Sequence, residues 1–97
     1  MNKEEFLIRI KSNNEPTERQ WQDIQYVYTW HPSIDDVNGK DQIAKLWDLG
    51  GYRLIEDMMP TAKKDQELQE EIRVLEQQLS DLRRARFDLM LGGTGNV

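Results

Sequence analysis

Leu68, Ile72, Leu75, Leu79, Leu82, Arg86 and Leu89 recur at alternating steps of four and three residues. On a helix, that spacing keeps one narrow row in register, the a and d positions of a heptad repeat. Taking Leu68 as d makes Ile72 a, Leu75 d, Leu79 a, Leu82 d, Arg86 a and Leu89 d. Most other positions in this stretch are charged or amide-bearing, so the apolar row has to be covered by another helix. A helix over 62–91 would be about 45 Å long at about 1.5 Å per residue. The expected fold is all-α: a small head of short helices over 1–61, a long amphipathic helix over 62–91 forming a coiled coil or helix-packing seam, and a flexible tail over 92–97.

The head has its own helix signals. Asn2 can cap a short helix carrying Phe6, Leu7 and Ile10 on one face. Thr17 followed by Gln20 has the form of a capping box, opening a second helix with Trp21, Ile24, Val27 and Tyr28 at helical spacing and His31-Pro32 at its end. After the polar turn of Asp35, Asp36, Asn38 and Gly39, a helix is expected over 40–49, with Ile43, Leu46 and Trp47 on one side and Gly50-Gly51 as its C-terminal stop. A further short helix over 52–59 is expected to end at Pro60-Thr61. Six of the eight aromatic residues lie between Trp21 and Tyr52, which places the core in the middle of the chain.

Composition narrows the function classes. Thirteen Lys and Arg against eighteen Asp and Glu give a net charge of −5, which disfavours nonspecific attraction to nucleic acid or anionic lipid. No apolar run approaches the roughly 20 residues that span a bilayer, and the opening MNKEEFLIRIK lacks the continuous apolar segment of a signal peptide. Without cysteine there is neither a disulfide framework nor a thiolate nucleophile or zinc ligand. A cytoplasmic protein with no membrane partner is expected.

Candidate chemistry is sparse. His31 is the single histidine; Asp35 or Asp36 could orient it, but no spacing signature supplies it with a nucleophile, and a turn role is expected. Asp35, Asp36, Asn38, Gly39 and Asp41 superficially resemble a calcium loop. Aligning Gly39 with loop position 6, however, puts Ile34 and Lys45 where carboxylates belong. The terminal glycines follow a helix rather than precede one, so Gly92 is expected to stop the helix rather than to cradle phosphate. Neither an enzyme nor a cofactor is expected.

Two binding readings remain. The first is a noncatalytic interaction or assembly protein, an adaptor that self-associates through Leu68, Ile72, Leu75, Leu79, Leu82, Arg86 and Leu89 and engages a further protein partner. Residues 65–81 hold six acids and one base, whereas 82–88 hold three arginines and one acid, so an antiparallel pair brings unlike halves together. A parallel pair would instead face Glu71 with Glu76. The alternative is a small helix-turn-helix-like DNA-binding regulator built on QIAKLWDLGGYRLIEDMM, with Arg53, Arg83, Arg84 and Arg86 as nucleic-acid contacts. Glu56 and Asp57 beside Arg53 weigh against it.

Overall fold

Asn2 opens the first helix, α1 (Lys3–Arg9), its side-chain oxygen accepting the Glu5 N–H at 2.8 Å. The computed structural model describes residues 1–95, with side chains described through Leu91. Acidic Glu4 and Glu5 in the first turn and Arg9 in the last match the helix dipole. Phe6 is fully buried and anchors α1. Thr17 and Gln20 form the expected capping box of α2 (Glu18–Trp30): Gln20 N–H donates to Thr17 Oγ1 at 3.2 Å, and Thr17 N–H to Gln20 Oε1 at 3.0 Å. Trp21, Ile24 and Val27 form its buried stripe, and the chain leaves the helix at extended His31, just before Pro32.

The third helix, α3 (Gly39–Gly95), is the principal departure from expectation. The stop expected at Gly50-Gly51 is present as a break at Gly51, whereas the stop expected at Pro60 is not, and helix continues through it. Gly51 adopts φ 61°, ψ −151°, a single non-helical residue at which the helix changes direction and resumes at Tyr52. That conformation is essentially restricted to glycine. The two arms, 39–50 and 52–95, therefore meet at one residue, with no loop between them. Pro60 lies within the second arm, and the backbone around it stays helical. Its ring removes one hydrogen bond, a cost of about 3 kcal/mol for an internal proline. Fully buried Ile55 and Ala62, seven residues apart, hold the helix to the core on both sides of it. Pro60 itself is exposed, as is Glu56, whose carbonyl loses the bond and can be hydrated. The stop expected at Gly92 is likewise absent, because the helical backbone extends to Gly95. Residues 96 and 97 of the expected tail lie outside the described residues.

Three helices and no strand are found among the described residues. The chain divides into two units, Met1–Gln66 and Glu67–Val97. The core of the first unit combines Phe6, Trp21, Ile24, Val27, Ile43, Ala44, Trp47, Ile55 and Ala62. Phe6 links the two buried tryptophans, its ring 5.3 Å from Trp21 and 6.2 Å from Trp47, the latter edge-on at 70°. Such tilted geometries suit aromatic quadrupoles.

Polar contacts attach the connecting segments to this core. Trp47 Nε1 donates to the Asn14 carbonyl at 2.6 Å, and the Asp48 carboxylate accepts N–H groups from Lys11 at 2.8 Å and Ser12 at 3.1 Å. The segment between α1 and α2 is thereby fastened to the first arm of α3. Tyr52 donates to Asp23 at 2.7 Å, and the Tyr26 hydroxyl bonds Gln66 Oε1, tying α2 to the second arm. Close packing explains Gly39, where an added Cβ would lie 2.9 Å from Ile34 Cγ2 and 3.1 Å from Tyr28 Cε2. Gly51→Ala should lower unfolding stability by about 1–3 kcal/mol, because alanine has to adopt a strained backbone at the direction change. Chemical denaturation monitored by tryptophan fluorescence will measure the loss.

Candidate interaction surface

Apolar exposure changes abruptly along α3. Ala62 is 0% exposed, whereas Leu68, Ile72, Leu75, Leu79 and Leu82 lie between 43% and 68%. Continuing the seven-residue step from Ile55 through Ala62 reaches Gln69 and then Glu76, both exposed. The fully buried row thus ends in polar residues, while the neighbouring row of half-buried Leu54 and Met58 leads, two heptads on, to Leu68 and Ile72.

The structure places all seven expected interface residues on one α-helix, with Arg86 exposed and Leu89 75% exposed. Helix persists here because Leu, Glu, Gln and Arg dominate the stretch, all favourable helix formers. A side-chain bond from Gln77 Nε2 to Asp81 Oδ1, at 3.0 Å, adds an i,i+4 link. Val74, Phe87, Met90 and Leu91 are also exposed. They lie off the a and d row and were not anticipated as surface apolar residues. The compact run Phe87-Asp88-Leu89-Met90-Leu91 is the signal that could have marked most of them.

The arginines proposed as nucleic-acid contacts are all exposed. Arg53 belongs to the unit Met1–Gln66, with exposed Glu56 and Asp57 close in sequence, while Arg83, Arg84 and Arg86 belong to the other unit. The segment compared with a helix-turn-helix consists of two helical arms meeting at Gly51, rather than two helices joined by a turn of several residues.

The first unit brings Ser33 to His31, a proximity that the spacing does not signal, with His31 at the end of α2 as expected. Ser33 Oγ lies 2.7 Å from His31 Nδ1. The same nitrogen accepts the Ser33 backbone N–H at 3.2 Å, so the contact is part of a local turn after α2. Asp35 is committed in a similar way, its carboxylate accepting Val37 N–H at 2.7 Å and the Asn38 side-chain amide at 3.3 Å. Among the described residues, no group of three His, Asp or Glu side chains could hold a metal ion, and no helix is long and apolar enough to cross a membrane.

Clefts in the head are lined mainly by charged or aliphatic surface groups. A cleft of about 400 Å³ lies among Arg9, Lys11, Asp41, Lys45, Asp48 and Leu49. Two of its acids are already engaged: Asp41 pairs with Arg9 at 3.2 Å, and Asp48 binds the Lys11 and Ser12 amides. The Lys11 N–H, then that of Ser12, holds the Asp48 carboxyl below its ordinary range. Burial shifts His31 below its ordinary value of 6.5, opposed by the charge of Asp65.

No family model, curated protein or solved structure matches this chain.

The His31 shift has a defined consequence for stability. Above about 6.5 the ring is neutral both folded and unfolded; as pH falls through that value, the unfolded chain takes up the proton first. Stability contributed by the neutral ring is therefore lost below pH 6.5, and the loss levels off beneath the folded-state pKa. Urea midpoints of the native protein should fall between about pH 7.5 and 5.5, above the range where the carboxylates titrate. The same comparison on His31→Gln should show a flatter dependence.

Proposed function

We propose that this chain is a noncatalytic assembly protein whose helix beyond Gln66 self-associates as a coiled coil, presenting the Met1–Gln66 head as an adaptor for a further protein. The observation that carries this reading is the continuous exposed row Leu68, Ile72, Leu75, Leu79 and Leu82. It follows the a and d positions of a heptad, beside rather than along the fully buried positions Ile55 and Ala62.

Physical scale favours a continuous partner helix over a small ligand. Each half-exposed Leu or Ile gains only about 1 kcal/mol when the rest of its surface leaves water. No single layer is sufficient, and association depends on several layers closing together. Two copies satisfy this requirement because each supplies the same row. Pairing would also make the heads multivalent, so modest affinity of each head for its target would translate into stronger attachment. The proposed setting is cytoplasmic, in keeping with a sequence that offers no disulfide for an oxidising compartment.

Sedimentation velocity and light scattering on the full chain, across a concentration series, test the proposal. The native protein should sediment as a dimer or larger species. Leu75→Asp combined with Leu79→Asp should convert it to a monomer, because buried aspartates would face the opposing helix unpaired. Thermal unfolding of the head, followed by tryptophan fluorescence, should change little, since both substitutions lie outside Met1–Gln66. A native protein that remains monomeric at every concentration would refute the assembly reading.

A further inference from the structure

Resting on the self-association reading, we propose that the occupant of the seam is a second copy of this chain, aligned antiparallel, with the pair's two-fold axis level with Gln77. Reversing one helix brings a positions opposite d positions. The register centred on Gln77 pairs Leu75 with Leu79 of the second copy and Ile72 with its Leu82, and symmetry repeats both layers. Four consecutive apolar layers result, flanked at each end by Leu68 opposite Arg86. The aliphatic stem of Arg86 can cover Leu68 while its guanidinium reaches the acidic rim.

Charge and continuity together select this register. Residues 83–86, with three arginines, come level with 68–71 of the second copy, which include Glu70 and Glu71, with Glu67 adjacent. Sliding by one heptad toward the head sets the arginines level with 61–64, where Lys63 and Lys64 repel them and Asp65, adjacent, is the one nearby acid. Sliding one heptad the other way sets them level with 75–78, where Glu76 is the single acid, and inserts Arg86 opposite Leu75 inside the apolar run. A parallel pair places the arginine clusters side by side and Glu71 against Glu76. Only the Gln77-centred antiparallel arrangement combines an unbroken apolar centre with arginines level along the axis with several acids. Because surface charge contributes more to partner choice and register than to strength, it is the appropriate discriminator between alignments with similar apolar content.

The cysteine-free chain permits a direct test. Full-length Ile72→Cys and Leu82→Cys are prepared separately, their masses checked under reducing conditions, and each is oxidised alone and after mixing. Disulfide-linked dimer should form in the mixture and not in either variant alone. Cross-linking of each variant with itself would establish parallel pairing and overturn the proposal. A dimer that cross-links in none of the three samples would overturn the register.

Spin labels provide a second measurement that leaves the apolar layers intact, using cysteine at exposed Gln77 in one variant and at exposed Arg84 in another. The Gln77 pair should be the closer, since the Arg84 pair is separated along the axis by about 21 Å. Equal distances at the two sites would overturn the register. A chain that is monomeric before any substitution would refute the self-association reading itself, an outcome distinct from a dimer with another alignment.

Discussion

The direction change at Gly51 is the constraint on which the head depends. Ile43 and Ala62 are nineteen residues apart on α3 and would be separated by about 28 Å on a straight helix. Both are nevertheless buried in one cluster with Trp21, Ile24 and Val27. The break lets both arms contribute to that cluster without a loop between them. A residue with a Cβ would have to strain into the same backbone, whereas glycine enters it at little steric cost. This concentrates the core into a chain segment of 66 residues, a size at which each large side chain contributes materially to stability.

Trp47 connects packing with local order. Its ring meets Phe6, while its indole N–H occupies the Asn14 carbonyl. The adjacent Asp48 takes two amides from the same connecting segment. Burial of the indole and satisfaction of otherwise unpaired backbone groups therefore reinforce one another. In the surface ion pairs, Lys3 with Glu18 at 3.7 Å for example, partial exposure and salt screening limit the contribution to about 0–1 kcal/mol. The aromatic and backbone-directed contacts are the stronger determinants of where the connection lies.

These local rules also explain which parts of the fold could be read from the chain. Asn2, the Thr17–Gln20 capping box and the stripe Trp21, Ile24, Val27 were legible because a few neighbouring residues determine them. The break at Gly50-Gly51 was legible in the same way, whereas Pro60 was read as a stop because local propensity says nothing of burial further along. At Pro60, fully buried Ile55 and Ala62 hold the helix on both sides. The Ser33 approach to His31 was missed because it is set by turn geometry rather than a longer-range motif. The heptad row was visible in full, while exposure of Phe87, Met90 and Leu91 required the observed helix surface to recognise.

The two rows along the second arm place different demands on one helix. Ile55 and Ala62 complete a core within the chain, and their seven-residue continuation reaches Gln69 and Glu76, where burial would be costly. From Leu68 the apolar positions keep to the neighbouring row, and from Ile72 to Leu82 that row contains only Leu and Ile. Met58, which packs against the head core, is in phase with Ile72, so of the two rows only the a and d row stays apolar beyond the head. A helix needed only as a soluble extension would have no reason to space branched aliphatics by four and three over this distance. Arg86 then interrupts the a positions, limiting how far the greasy run extends and favouring alignments that give its charge an acid or water. The a and d row thus links the end of one core to the beginning of a surface suited to another helix, with polar positions limiting which alignments that surface tolerates.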